Sequence, residues 1–376
     1  MPLNKKIAIL GGGQLGRMFI QNALNYDVSI SILDPAANAP CQNIASHFRQ
    51  GSFKDFDTVV AFAKDADIVT IEIEHVNTDA LKAIEKMGKT VIPSAFAIET
   101  IKDKGLQKTF YKENSIVSSE FIIIEGKEDL KNHLDFLPAF QKARTEGYDG
   151  KGVVYLKDQN DLDKAFDVPS ILEKAVDIDK ELSVIVVKNE LGEFSLFPVV
   201  EQVFDPVYNL VDYLFSPANI STKQEKIANT LALKVAKSFN SPGIFSVELF
   251  LDTKGNISVN ETAPRTHNSG HHTIESCASS QFDQQLRALL NLPLGDTSLR
   301  KKAAMVNLVG AENFTGKAIY KGIEKVMALK DVYIHLYGKE MTKPGRKMGH
   351  ISILGEDLNI IKEKIDFIKE NLMVVA

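Results

Sequence analysis

Residues 7–10, Ile-Ala-Ile-Leu, run without a polar break into Gly11, Gly12 and Gly13 and then into a helix-forming stretch over 14–24. Few short patterns restrict a fold so tightly. A strand that is apolar throughout has to be buried on both faces, and glycines at its end let the chain turn at once into the helix that covers it, which is the first half of a βαβ unit. The pattern recurs, with "VSISIL" at 28–33, a helix signal near 55–64, "ADIVTIEIE" at 66–74, a helix signal near 78–87 and "TVIP" at 90–93. Residues 1–94 are expected to form a small, doubly wound, Rossmann-like α/β domain.

Gly11, Gly13 and Gly16 also satisfy the G-x-G-x-x-G spacing of a dinucleotide site, and Asp34 stands where an acidic partner for a ribose is expected. A nicotinamide-dependent dehydrogenase is one reading of this turn. The other is that any βαβ unit needs small residues there, and the rest of the chain has to decide.

The 376 residues, 44% hydrophobic and 25% charged, suffice for two or three domains with substantial cores. A formal charge of -5 argues against broad nucleic-acid or anionic-membrane binding but allows a local basic pocket for a small anion. Cys41 and Cys277 stand far apart without C-x-x-C spacing, which suggests neither a disulfide framework nor a zinc site. No apolar stretch approaches the roughly 18 residues of a membrane span, and the run before the glycines is too short for a signal-peptide core. The expectation is a cytoplasmic enzyme acting on small molecules, with no nucleic-acid or membrane partner.

From residue 95 the texture becomes α+β. A basic helix around "KDKGLQKTFYKEN" precedes strand signals at "SEFIII", "AFQKA", "VVYL", "SILEKAV", "ELSVIVV" and "EFSLFPVV". A helix over 223–239 follows, and then "GIFSVELFLD" pairs with "NISVNE" across the turn "TKGN". After residue 296 a last segment carries "AAMVNLVG", "VYIHLYG" and "GHISILG" and ends in a helix with Leu358, Ile361, Ile365, Ile368 and Leu372 on one face.

The chemistry-bearing residues concentrate in this second half. "EGYDGKG" sets Gly147, Gly150 and Gly152 around Asp149 and Lys151 between two strands, either a cradle of backbone N–H groups for phosphates or a plain β-turn. Lys108 and Lys142 flank it, and Lys142 sits on an apolar strand, where an ammonium needs an anion partner or a route to solvent. Glu248 and Glu261 lie on adjacent strands joined by a short turn, so both carboxylates can face one spot, with Asn260 adding a neutral oxygen. Such a pair suits Mg²⁺ on a nucleotide; a solvated hairpin face is the alternative. "RTHNSGHH" gathers Arg265, His267, Asn268, Ser269, Gly270 and His271 in a polar loop that reads as substrate-binding, and "YGKEMTKPGRKMGH" puts Lys339, Arg346 and Lys347 in a compact basic loop, suited to a phosphate monoester or simply solvated.

Together these stretches resemble the ATP-grasp superfamily and, within it, the 5-(carboxyamino)imidazole ribonucleotide synthase family of purine biosynthesis. "GGGQLGRM", "EIEHV", "GYDGKG", "VNETAPRTHNSGHHTIE" and "YGK" followed by "PGRKMGH" occur in the family's order along nearly the whole chain. The resemblance implies an ATP-grasp architecture, with a Rossmann-like pre-ATP-grasp domain over 1–94, an ATP-grasp domain over 95–296 and a small C-terminal domain over 297–376 that completes the substrate site. It implies that Gln14, Leu15 and Glu74 lie near aminoimidazole ribonucleotide. ATP is expected on Lys108, Lys142 and the loop Gly147, Tyr148, Asp149, Gly150, Lys151, Gly152 and Val153, with Glu173 and Val176 at the adenine hinge, Glu181 on the ribose hydroxyls, and Asn260 beside Glu261. Glu248 and Glu261 would hold Mg²⁺. Arg265, His267 and Asn268, with Asp149 and Lys151, would face the reacting centre as catalytic residues, and Lys339, Arg346 and Lys347 would take the ribonucleotide phosphate. The family joins bicarbonate to the exocyclic amine of its substrate while splitting ATP to ADP and phosphate, and the resemblance also implies a homodimer.

The inventory fits that chemistry. Bicarbonate is a poor electrophile until a phosphoryl group is placed on it, and phosphoryl transfer needs positive charge around the moving oxygens. Carboxyphosphate is labile, so the glycine-rich loop is expected to close and exclude water. Glu146, Val153 and Thr266 depart from residues common in the family, which implies changes in tuning and not in reaction class, and Phe204 stands where a family histidine approaches ATP. The alternatives are a formate-using, amino-acid-using or biotin carboxylase-like ATP-grasp ligase, the dehydrogenase above, and a nucleotide-binding regulator without activity.

Overall fold

The computed structural model of the chain describes residues 4–145, 147, 152–206 and 210–376. The first sheet is parallel throughout, with β1 (Lys6–Leu10), β2 (Ser29–Asp34), β3 (His47–Gln50), β4 (Ile68–Ile71) and β5 (Thr90–Val91) in the order β3-β2-β1-β4-β5. Ile7 and Ile9 pack towards the helix α1 (Gln14–Ala23), whereas Ala8 and Leu10 pack towards the helices Phe56–Ala63 and Thr78–Lys86. That two-sided burial is why the run 7–10 carries no polar residue. Asp55 and Asn77 cap the two latter helices by accepting the N–H groups of Thr58 and Ala80.

A four-stranded antiparallel sheet follows, made of β6 (Phe121–Ile124), β7 (Ala139–Ala143), β8 (Val153–Leu156) and β9 (Ser170–Lys174) in the order β6-β9-β7-β8. Beside it in sequence begins the nine-stranded central sheet, which contains β10 (Ile178–Lys188), β11 (Phe194–Leu196), β12 (Val200–Phe204), β13 (Val211–Ser216), β14 (Gly243–Asp252), β15 (Ile257–Ala263) and β16 (Lys302–Val309). The stretch "EFSLFPVV", expected as one strand, is two: β11 and β12 run along the same edge of β10, broken at 197–199, where Pro198 has no N–H to give the ladder.

The central sheet has two unlike faces. Leu182, Val184, Val186, Val247, Leu249 and Val259 pack under the long helix Thr222–Phe239, and each such buried side chain contributes about 1.5–3 kcal/mol. Ser221 opens that helix with a capping box to Gln224, and Asn240 ends it in the left-handed region. The alternating residues Glu181, Ser183, Ser246 and Glu248 therefore come out on the other face. The sheet continues past the end of this middle segment: β13 pairs with β16, β16 with the strand Lys347–Gly355, and that with Val332–Leu336. The closing helix Leu358–Asn371 lays Ile361, Ile365 and Ile368 on this extension, as its spacing predicts.

Candidate active site

β14 and β15 face each other in antiparallel register with Glu248 directly opposite Glu261. Opposed residues of an antiparallel pair project from one face, so both carboxylates leave the sheet on its polar side. The register then slips, for Leu249 faces Val259 and Asn260 is left as an extra residue on β15. A bulge of this kind re-aims side chains. By strict alternation Asn260 would point away from its neighbour Glu261; here its Oδ1 accepts from Lys142 Nζ at 3.1 Å, while Glu261 pairs with Lys104.

The lysines arrive on two elements. Lys104 and Lys108 are one turn apart on the helix Lys104–Glu113, and Lys142 is on β7. Lys108 and Lys142 both close on Glu173 of β9, with Nζ 2.5 and 2.6 Å from its carboxylate oxygens. Lys108 is 3% and Glu173 2% exposed, a depth at which a charge persists only when paired. Burial alone would raise the Glu173 carboxyl; Lys142 and Lys108 outweigh it and hold the group at about 2. The expectation that Glu173 marks the adenine hinge thus meets a side chain already committed to the two lysines expected on ATP.

Burial first, then the neighbouring carboxylates Glu261 and Glu181, push the Glu248 carboxyl well above the ordinary range. Glu261 is held below it, chiefly by Lys104. Glu181 lies opposite Gln202 of β12 and is raised by burial to about 7. The polar face is therefore crowded with acid, and its lysines are arranged around the rim of that crowd.

At the amino-terminal turn the structure decides between the two readings of the glycines. Glu72, just after β4, sits beneath the turn, and its Oε1 accepts the Leu15 N–H at 3.1 Å. A Cβ on Gly13 would lie 2.5 Å from the same oxygen, so the close approach requires glycine. Asp34 accepts the N–H groups of Gly12 and Ala36 at 2.7 and 2.8 Å. The anion site at the start of α1 is filled by the chain's own carboxylate, and the supposed ribose partner is committed to backbone. The nicotinamide reading is set aside.

Glu74, two residues on, pairs with Arg265 (Nη2 to Oε1 2.8 Å), joining the first domain to the loop that follows β15. In that loop His267 Nδ1 accepts the Ser269 N–H at 3.3 Å, and Nε2 lies 3.6 Å from Glu248 Oε1. A neutral His267 consequently carries its proton on Nε2, facing Glu248. Gln281 holds the same residue by its backbone: Oε1 accepts the His267 N–H and Nε2 donates to the His267 carbonyl, both at 2.9 Å. The amide Nδ2 of Asn268 is buried without a hydrogen-bond partner.

Three domain families match along the chain: the ribonucleotide synthetase preATP-grasp domain over residues 4–102, the ATP-grasp domain over 109–282 and the phosphoribosylaminoimidazole carboxylase C-terminal domain over 303–364. The N5-carboxyaminoimidazole ribonucleotide synthase of Bacillus subtilis (strain 168) is 35% identical over 354 residues, 93% of this chain and 91% of that protein. The chain belongs to the N5-carboxyaminoimidazole ribonucleotide synthase family. The crystal structure of the synthetase from Thermotoga maritima, another member of this family, matches with a TM-score of 0.91 at 39% identity over 99% of both chains. That of the Aspergillus clavatus synthase, in complex with ADP and 5-aminoimidazole ribonucleotide, matches with a TM-score of 0.88 at 34% identity over 98% of this chain and 99% of that one. The chain spans 66% of the length of the chloroplastic phosphoribosylaminoimidazole carboxylase of Vigna aconitifolia, to which it is also similar.

In this member of the synthase family the remaining expected residues fall as follows. Gln14 opens α1 half-buried, whereas Leu15 gives its N–H to Glu72 and its side chain to the core. Val176 is half-buried in the link from β9 to β10, and Val153 opens β8 opposite Lys142. Gly147 and Gly152 are the described parts of the glycine-rich loop; Glu146, Tyr148, Asp149, Gly150 and Lys151 lie outside the described residues. Lys339 Nζ donates to the Lys347 carbonyl at 2.7 Å, and Arg346 Nη1 to the Met341 carbonyl at 2.7 Å, within the basic loop. Phe204 is half-buried and packs against the small core cluster of Val200, Val211, Leu214 and Met305. Sequence reasoning missed Lys104, Glu72 and Gln281. Lys104 was within reach, since it lies four positions before Lys108 on one helix face.

Proposed function

We propose that the chain carboxylates the exocyclic amine of 5-aminoimidazole ribonucleotide with bicarbonate, splitting ATP to ADP and phosphate. The observation that carries this reading is the opposition of Glu248 and Glu261 beside Lys104, Lys108 and Lys142, on the sheet whose next loop reaches the first domain through Arg265 and Glu74.

A divalent cation fits these residues. Two carboxylates meet on one face, one of them with its carboxyl raised by burial and then by the other, and a cation between them would relieve that repulsion. Among the described residues no three His, Cys, Asp or Glu side chains converge as a larger cage, but Mg²⁺ commonly takes only one or two protein carboxylates and completes its shell with phosphate oxygens and water. Glu248 and Glu261 would hold it, with Asn260 alongside, and it would supply positive charge to the triphosphate.

The chain's own side chains do the rest. Lys104, Lys108 and Lys142 turn from Glu261 and Glu173 to the phosphates, while Glu181 and Val176 hold the adenosine. A bicarbonate oxygen attacks the γ-phosphorus as the bond to the β-phosphate oxygen breaks, giving carboxyphosphate and ADP. The amine nitrogen then attacks the carboxyl carbon, phosphate leaves and the nitrogen loses a proton. Arg265, His267 and Asn268, with Asp149 and Lys151, orient the bicarbonate and the amine, and the loop 147–153 excludes water. Lys339, Arg346 and Lys347 hold the ribonucleotide phosphate at the far end, and Gln14 and Glu74 flank its base.

The reading includes a homodimer in the cytoplasm and the division at residues 94 and 296. Phosphate release from ATP, measured with and without bicarbonate and aminoimidazole ribonucleotide, tests the function. Release that needs both supports it; release indifferent to the ribonucleotide overturns it.

A further inference from the structure

Behind the site lies a stack of imidazoles that the reaction above does not use. His350, on the strand Lys347–Gly355, is fully buried between His335 (ring centroids 4.5 Å apart, planes at 9°) and His271 (4.7 Å, 33°). His335 is fixed from outside by Glu275, with Nε2 to Oε1 2.7 Å. Burial pushes His271 and His350 well below the usual imidazole range, so those two rings stack in their neutral forms.

Each neighbour of His350 leads to a different end of the substrate site. Its Nδ1 lies 3.0 Å from the hydroxyl of Tyr337, a residue 1% exposed. The ring of Tyr337 in turn carries Lys339, whose Nζ sits 5.5 Å from the ring centroid. On the opposite side, His271 Nδ1 accepts from Gln281 Nε2 at 3.0 Å, and Gln281 is the residue that grips His267 by both backbone groups. The run Lys339, Tyr337, His350, His271, Gln281, His267 is unbroken, and four of its members are fully buried.

We propose that His350 is a positioning residue, which through Tyr337 and His271 sets the spacing between the phosphate lysine Lys339 and the loop carrying Arg265, His267 and Asn268. The substrate turns about several single bonds between its phosphate and its amine, so a site that grips both ends has to select one separation, and small misplacements are expensive in rate. Interdigitated aromatic rings in a close-packed interior supply that stiffness better than a loop can. The inference rests on the proposed role of Lys339.

The test is steady-state kinetics on the full chain, with Michaelis constants measured separately for aminoimidazole ribonucleotide and ATP, and with thermal melting alongside. Tyr337→Phe keeps the ring and removes only the hydroxyl bond. It is expected to raise the ribonucleotide KM roughly fivefold, the worth of one buried hydrogen bond, and to leave the ATP KM within about twofold. His350→Leu removes bond and stack and is expected to act at least as strongly, while His350→Asn, which keeps a polar atom near Nδ1, recovers part of the loss. The double variant Tyr337→Phe, His350→Asn is expected to cost less than the product of the two single effects, as members of one network do. If Tyr337→Phe lowers the melting temperature but leaves the ribonucleotide KM alone, or moves both KM values together, His350 and Tyr337 are packing and the proposal falls. Lys339→Met separates the two layers: an unchanged ribonucleotide KM there overturns the phosphate site itself, whereas a raised one beside an unaffected Tyr337→Phe overturns the positioning role only. Should His350→Leu fail to fold, the isosteric Tyr337→Phe still decides.

Discussion

Glu72 Oε1 accepts the N–H of Leu15 at 3.1 Å, so that the first helix of the chain is closed at its start by a carboxylate from the neighbouring strand end. The group is raised to about 7, by burial above all and against the pull of Arg265. It occupies the place a bound phosphate takes in a dinucleotide fold.

Gly13 is required only because of that carboxylate, its backbone lying at φ -78, where alanine is at ease. Gly13→Ala is expected to destabilise the chain by about 1–3 kcal/mol, as overpacking does. Adding Glu72→Ala removes the atom it collides with. Urea denaturation of both singles and the double should show an effect smaller than the sum; strict additivity would contradict the contact.

Glu261→Gln is expected to lower ATP-dependent phosphate release by about 100-fold or more while melting stays close to that of the parent, because a carboxylate that holds a divalent cation acts on the transferring phosphoryl charge and not on the core. Glu248→Gln should behave alike, and its amide resembles the protonated acid that burial already favours without the cation. Chelation of divalent ions by EDTA should silence the parent. Full turnover in excess chelator would remove the metal from this site.

Lys104→Met takes away the strongest influence holding the Glu261 carboxyl down. The expected result is at least a tenfold loss in kcat/KM for ATP, with the ribonucleotide KM unaltered. Kinetics indistinguishable from the parent would mean that Lys104 only neutralises Glu261.

Buried imidazoles take stability away on the acid side of about pH 6.5. His271, His272 and His350 are buried neutral, with His272 lowered to about 3, so below the unfolded imidazole pKa the unfolded chain binds more protons than the folded one. Each such group removes up to about 1.4 kcal/mol per pH unit once that range is entered. Glu173, held at about 2, adds to the loss below about pH 4.5. Glu72, Glu181 and Glu248 run the other way, since carboxyls raised chiefly by burial contribute stability that fades as pH climbs from about 4.5 through about 7, and between about pH 5 and 6.5 they offset the imidazoles. Urea midpoints from pH 5 to 8 check this balance: the parent should change little between pH 6.5 and 5, and His350→Leu, with one buried imidazole fewer, should gain stability relative to the parent as pH falls through that window.

Arg346→Ala is expected mainly to raise the ribonucleotide KM, since binding a phosphate far from the reacting atoms is uniform binding. A drop in kcat at unchanged KM would move Arg346 out of that role.

Local patterns carry the parts of this molecule whose partners are near in sequence. The run 7–10, the capping residues and the hairpin over 243–263 are legible because each depends on periodicity and turn chemistry within a few residues. Even the opposition of Glu248 and Glu261 follows from a short turn. The bulge at Asn260 does not, because nothing in "NISVNE" marks where the ladder slips. Nor does the choice between Glu72 and Glu74, which alternate along one apparent strand until the chain turns at residue 72. Lys142 was readable as a cation in need of an anion, but its anion, Glu173, lies on another strand and only the fold brings them together. The helix Gln281–Leu289 escaped because its apolar stripe is only Phe282, Leu286 and Leu289, while polar Gln281, Gln284 and Gln285 are buried beside it.

The pairing of β13 with β16 has a consequence for anyone who would divide the gene. Expressing residues up to 296 alone would leave the edge of β13 with its ladder of N–H and C=O groups bare, and the remaining piece would present the matching raw edge of β16. Two fragments cut there are each an invitation to aggregate, and mixed together they are candidates to find one another.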